Sequence, residues 1–385
     1  MNQPLSAAEG RAAIAAARRV VVKIGSSSLT RADGHLSVDA LQQLVEVVAR
    51  RRRAGVEIVL VTSGAVAAGL APLGLTARPK DVATAQAAAS VGQGLLVARY
   101  TEAFASHGLR VGQLLLTADD TIRRARYRNA QRALERLLDL GVVPIINEND
   151  AVTTDELRFG DNDRLAALVS HLVRADAMIL LTDVDGLYDA PPSRPGARRI
   201  AEVRSAEDLA GIEVTGRGSA VGTGGMLTKL DSVRTATSAG IPVVLTSAAN
   251  VHGALTGEDT GTWFSAFGKK GTARSLWLAH AARTHGRLVL DDGAVRAVLA
   301  GKASLLAAGV TAVEGEFSAG EVVDLVGPDG AAVARGIVGF DSGELPALLG
   351  RTTTELKEKF GDGYDRTVVH RDDLVLVKRR PPREA

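Results

Sequence analysis

Residues 20–28 read VVVKIGSSS: four β-branched apolar residues around one lysine, then a glycine and three serines. The apolar run has the length and composition of a strand, and it is apolar at both alternating positions. A strand buried on both faces is the form found in a parallel sheet covered by helices. Lys23, near its end, therefore needs a partner, and a phosphate would supply one. The competing reading is a lysine that snorkels out at a sheet edge. Lys23 precedes its glycine and no GxxxxGK[ST] pattern occurs in the chain, so this is not a Walker A loop.

Outward from that run, short β-branched segments at 20–24, 58–61, 111–116, 142–146, 178–181 and 243–245 alternate with helical patterns. The alternation predicts an α/β fold with a doubly wound, mainly parallel sheet sandwiched by helices. Ser37 is placed to cap a helix whose Leu41, Leu44, Val45, Val48 and Ala49 share one face and which Gly55 ends. The Arg50 to Arg53 run then lies at its C-terminus, where cations suit the helix dipole and water. The pattern weakens after 264, so residues 1–264 read as one domain, 265–286 as a linker and 287–385 as a small, mainly β domain. That second domain carries strand-like runs at 288–290, 322–326, 337–340 and 374–377, a hairpin signal at Asp329-Gly330 and one Ala-rich helix from near Asp291.

Composition narrows the function classes. With 385 residues, 46% apolar and 23% charged, the chain is ordinary globular protein, its interior filled by Ala, Val and Leu because aromatics are only 3%. It has no cysteine, which excludes disulfides, thiol nucleophiles and Cys-ligated zinc and makes a cytoplasmic location the default. Net charge is +2, but residues 287–385 hold 13 Lys/Arg against 16 Asp/Glu, a sign that argues against nucleic acid as a partner. The uncharged stretch 58–75 is broken by Thr62, Ser63, Gly64, Gly69, Pro72 and Gly74, so no membrane span is expected. The seven histidines show no metal-ligand spacing.

Further polar motifs follow strands or open helices, where α/β sheets place ligands. VTSGAVAAG at 61–69 passes from strand to helix through Ser63 and Gly64, whose backbone N–H groups and hydroxyl suit a carboxylate or phosphate; a plain helix cap at Ser63 explains them nearly as well. IINENDAV at 145–152 ends an apolar strand in four polar residues, Asn147 to Asp150, suited to an amino acid's ammonium and carboxylate groups. GDNDRLAALVSHLV at 160–173 opens a helix with Asp161, Asn162 and Asp163, more than capping requires. In LLTDVDGLY at 180–188, Thr182 and Asp183 are placed to meet a nucleoside, although a turn at Asp185-Gly186 accounts for part of the motif. GTGGMLTK at 222–229 joins a glycine-rich loop to a helix start and brings Lys229 one turn in, the arrangement of a phosphate cradle.

These six segments, in this order, resemble the amino-acid kinase family, and residues 287 to about 378 resemble a PUA domain. The resemblance implies transfer of phosphate from ATP to a carboxylate, with the side chain of L-glutamate as acceptor and the first step of proline biosynthesis as setting. It places Lys23, Thr223, Gly224, Gly225, Met226, Leu227, Thr228 and Lys229 on the ATP phosphates and Thr182 and Asp183 nearer the nucleoside. It further puts Ser63, Asp150 and Asn162, with Gly64 and Asn147, on glutamate, and gives Asp163 the task of orienting the two lysines. Mg²⁺, a homo-oligomer, proline as feedback inhibitor and a downstream glutamyl-phosphate reductase are implied in the same way; no protein metal ligand is assigned. Aspartate, N-acetylglutamate, carbamate or UMP as acceptor, or an RNA-binding PUA protein with a secondary kinase-like half, are the alternatives.

Overall fold

In the computed structural model the lysine-bearing run forms strand β1 (Arg19–Ile24), with all six residues buried. The structure describes residues 6–31, 36–117, 120, 124–152, 162–205, 207–209, 225–266, 278, 284–301, 303–361, 363–364 and 366–380. They fall into two compact units, Met1–Ala273 and Arg274–Ala385. Most of 265–286, the expected linker, lies outside the described residues.

In the first unit, helix α1 (Ala7–Ala15) precedes β1, and α2 (Ser26–Leu29), α3 (Val38–Arg53), β2 (Glu57–Val61), α4 (Ala65–Leu70), α5 (Val82–Ala105) and β3 (Val111–Leu116) follow it. Next come α6 (Arg124–Asp139), β4 (Val143–Glu148), α7 (Asn162–Leu172), β5 (Ala177–Thr182) and the short β6 (Glu202–Val203). Helix α8 (Met226–Ser238), β7 (Val243–Ser247), α9 (Val251–Thr256) and β8 (Thr262–Phe264) complete it. The strands form one sheet in the order β3-β4-β2-β1-β5-β7-β8-β6. It is parallel from β3 through β7; β8 runs antiparallel to β7, and β6 lies parallel to β8.

The period of two along β1 sorts its side chains. Val20, Val22 and Ile24 join a core with Leu41, Leu44, Val45 and Val48 of α3 and Leu96, Tyr100 and Phe104 of α5. Each large aliphatic side chain buried this way contributes roughly 1.5–3 kcal/mol. Val21 and Lys23 must then face the opposite side. There α7 lies across β1, β2, β4 and β5, with Leu165, Leu168, Val169 and Leu172 buried. The sheet is thus covered on both faces, and Lys23 looks toward the helix that begins with Asn162 and Asp163.

Two details refine the arginine-rich end of α3. Ser37 caps the helix by accepting from the Ala40 N–H, and Gly55 ends it with φ +88°. Arg50 and Arg53 are exposed, whereas Arg51 donates to the Ala15 carbonyl and Arg52 to the Val56 carbonyl, so half of the run is structural.

The second unit is a five-stranded sheet of β9 (Gly286–Leu290), β10 (Val310–Gly315), β11 (Val322–Val326), β12 (Ala332–Val338) and β13 (Val369–Arg380), ordered β10-β9-β11-β12-β13. Gly330, φ +72°, turns the β11–β12 hairpin. Three features depart from the sequence reading. β12 begins before 337–340 and ends two residues sooner, and β13 is longer than 374–377, because ladder pairing recruits residues of weak strand propensity such as Ala332 and Arg335. β10 escaped notice because its residues are mostly half-buried or exposed and lack clean alternation. A second helix accompanies α10 (Asp292–Leu299): α11 (Thr353–Phe360), set by a Thr352–Glu355 capping box and burying only Leu356. Among the described residues no helix is long and apolar enough to cross a membrane.

Helices α4 and α5 touch backbone to backbone. A Cβ on Gly92 would lie 1.9 Å from the Ala65 carbonyl oxygen, and one on Gly69 would lie 1.9 Å from that of Ala88. Gly94, two residues along, faces open space. Gly92→Ala should therefore cost about 1–3 kcal/mol through forced separation of the helices, while Gly94→Ala should be neutral or gain up to about 1 kcal/mol from helix propensity. Urea unfolding followed by circular dichroism separates the two, and equal effects would refute the close packing.

Candidate active site

Strand β1 has β2 on one side and β5 on the other, so the chain changes direction across the sheet there. Crevices at the carboxyl ends of strands flanking such a reversal are where open α/β sheets hold ligands. Lys23 is near the end of β1; Thr62, Ser63 and Gly64 follow β2; Asn147 and Glu148 end β4; and Thr182 ends β5, with Asp183 next. Gly64 has φ +103°, a conformation that gives glycine a specific use between strand and helix.

The first cluster is ionic. The Lys23 Nζ pairs with Asp163 Oδ1, and Lys229 Nζ donates to Asp163 Oδ2 at 3.1 Å. The Asp163 side chain is 0% exposed, Lys23 3% and Lys229 12%. Lys23 therefore does not snorkel: it sits on a central strand, and its partner in the structure is a carboxylate. Burial pushes the Asp163 carboxyl up, but Lys23 and then Lys229, by charge and hydrogen bonding, outweigh it and hold the pKa at about 2, below the ordinary 3.8. Among the described residues two cations thus converge on one anion in a place sheltered from water, a setting suited to an anionic ligand.

The second cluster is built of amides. Asn162 Nδ2 donates to Ser63 Oγ at 3.0 Å and to Asn147 Oδ1 at 2.9 Å. Asn147 Oδ1 also accepts from the Glu148 backbone N–H at 3.0 Å, and its Nδ2 donates to Gln93 Oε1 of α5 at 2.7 Å. From behind, buried Tyr100 meets Thr62 Oγ1 at 3.0 Å; burial pushes its phenol up to about 12 despite that hydrogen bond, so it stays protonated. Asn162 and Asp163 are consecutive, so the first turn of α7 carries one member of each cluster.

The other expected residues have their own local partners. Thr182 is buried and donates to Asp183 Oδ1 at 2.8 Å. Gly225 caps α8, its carbonyl accepting from Thr228 Oγ1 at 2.8 Å; Met226 is half-buried and Leu227 is 62% exposed. Asp150 is half-buried in the turn after β4. Thr223, Gly224 and Asp161 lie outside the described residues. Gln93 was missed: its signal was a lone amide in the small-residue stretch AAASVGQGLL at 87–96, but its partner is 54 residues away.

Residues 18–247 match the model of the amino acid kinase family, and residues 286–360 match the PUA domain. The chain belongs to the amino acid kinase family. Among its relatives in that family, the protein named glutamate 5-kinase from Streptomyces coelicolor is 61% identical over 96% of this chain and 99% of its own. The proteins of that name from Thermobifida fusca and Bifidobacterium longum are 60% and 56% identical, over 96% and 98% of this chain and 95% and 100% of theirs. A solved structure, carbamate kinase from Giardia lamblia bound to AMP-PNP, aligns with 66% of this chain and 100% of its own at 18% identity and TM-score 0.49, too distant to carry a residue across.

A carboxyl held at about 2 when folded and 3.8 otherwise stabilises the fold fully above pH about 4 and loses that contribution as pH falls toward 2. Asp163→Asn removes the carboxylate that two neighbouring buried cations share and should cost about 3–5 kcal/mol near neutral pH. Denaturant unfolding as a function of pH should show the gap to wild type narrowing below pH about 4. A gap that stays constant down to pH about 2 would contradict the ion cluster as described.

Proposed function

We propose that this protein is an ATP-dependent kinase that phosphorylates the side-chain carboxylate of L-glutamate to L-glutamyl 5-phosphate, the first step of proline biosynthesis. The observation that carries it is the pair of lysines, Lys23 and Lys229, on one buried carboxylate. The acceptor's carboxyl has a pKa of roughly 4, so at neutral pH the nucleophile is already ionised and no general base is required. One carboxylate oxygen bonds to the γ-phosphorus while the bond from that phosphorus to the bridging oxygen breaks and ADP departs. No proton moves. The barrier is electrostatic, since acceptor, ATP and transition state are all anions, and positioned cations lower it.

In this reading Lys23 and Lys229 flank the transferred phosphoryl group and Asp163 keeps both ammonium groups aimed. Thr223 to Lys229 hold the ATP phosphates, and Thr182 and Asp183 lie nearer the nucleoside. Ser63, Gly64, Asn147, Asp150 and Asn162 hold glutamate. Among the described residues no three His, Asp or Glu side chains converge as a metal cage. Mg²⁺ would arrive on the ATP phosphates, as this small, strongly hydrated ion usually does, and neutralise charge on them. The same proposal includes a cytoplasmic homo-oligomer, proline as feedback inhibitor and a glutamyl-phosphate reductase that consumes the labile acyl phosphate.

Incubation with Mg-ATP and hydroxylamine traps the acyl phosphate as a hydroxamate. Glutamate should give a clearly larger signal than aspartate or N-acetylglutamate, and the reverse order would overturn the substrate. Lys229→Ala should stay folded and lose about 10²–10³-fold in kcat, the scale of a removed electrostatic stabiliser; near-normal turnover would overturn the role of the lysine pair.

A further inference from the structure

We infer that Gln93 is a positioning residue that makes the acceptor site specific for a free α-amino acid, acting through Asn147 and Asn162 on Ser63; this rests on the glutamate reading above. The Glu148 backbone N–H can only donate, so the Asn147 atom facing it at 3.0 Å must be the oxygen. Asn147 therefore presents its NH₂ group to Gln93, whose Oε1 accepts it at 2.7 Å.

The same Asn147 oxygen receives the NH₂ of Asn162 at 2.9 Å, which fixes the flip of the second amide. With its NH₂ also donated to Ser63 Oγ at 3.0 Å, Asn162 keeps its carbonyl oxygen, an atom with under 1 Å² accessible and no hydrogen-bond partner among the described residues. Ser63, already accepting, has its hydroxyl proton to give elsewhere. Asn162 is thus left with an acceptor and Ser63 with a donor, the complement of an ammonium and a carboxylate.

Gln93 is 9% exposed and comes from α5, the helix locked against α4 at Gly92. If its oxygen is removed, the Asn147 NH₂ loses its buried acceptor, and the reason for the whole chain to keep one orientation is weakened. A site that hydrogen-bonds a substrate group strongly rejects an analogue lacking it. Gln93 therefore governs discrimination between glutamate and glutarate, the same dicarboxylate without its amine.

The test uses the full-length enzyme with both acceptors in the hydroxamate assay. Gln93→Met keeps the shape and removes the acceptor. It should raise KM for glutamate about tenfold or more, leave KM for ATP within about twofold, and cut the glutamate-to-glutarate ratio of kcat/KM about tenfold. Gln93→Glu, which retains an oxygen for Asn147, should restore most of that ratio. In a double-mutant cycle Gln93→Met should add nothing to the glutamate defect of Asn162→Ala. If Gln93→Met does not fold, Gln93→Asn, whose acceptor is withdrawn by one carbon–carbon bond, carries the same expectation. Equal losses on both acceptors, or additive effects with Asn162→Ala, would overturn the role of Gln93. Wild type inert on glutamate but active on another acceptor would instead overturn the glutamate reading itself.

Discussion

Two lysines from distant parts of the chain share one fully buried aspartate, and that arrangement constrains nearly everything around it. Charges out of water are tolerated only with close, well-directed partners. Lys23 must therefore be on a central strand near its carboxyl end, Asp163 in the first turn of the helix crossing that strand, and Lys229 one turn into another helix. Backbone placement sets all three. The parallel sheet gives Lys23 its face and depth, and the apolar stripe of α7 fixes the angle from which Asp163 approaches.

A division of labour follows from the consecutive residues Asn162 and Asp163. Asp163 belongs to an ionic cluster suited to phosphate, whereas Asn162 belongs to a neutral amide network suited to a small polar acceptor. Any tilt of the first turn of α7 moves both clusters together. The two substrates of a phosphoryl transfer must be brought into line, and a single turn of helix shared between their sites is a direct way to couple their positions.

Much of this was readable from the residues. A lysine inside VVVKI is costly unless paired, the polar tails of otherwise apolar strands mark the carboxyl end of the sheet, where open α/β folds bind ligands, and the Leu41, Leu44, Val45, Val48, Ala49 stripe places α3. What escaped depended on long-range contact. Asp163 was visible as a residue that could orient both lysines only through family likeness, since nothing local says which of Asp161, Asn162 or Asp163 points inward. Gln93 carries no motif, and its importance arises from a neighbour on another element. The helix at Thr353–Phe360 is held by its cap and buries one leucine, so periodicity alone gives it little signal.

The backbone contact of α4 with α5 at Gly69 and Gly92 has a consequence for how such a site can change over generations. The segment carrying Ser63 and Gly64 and the helix carrying Gln93 meet without intervening side chains, so their spacing is independent of side-chain size. Ordinary substitutions at these glycines cannot change that spacing in small steps; they push the helices apart at once. A change of acceptor would thereby fall to the polar residues of the amide network, while the spacing of the two helices stays fixed.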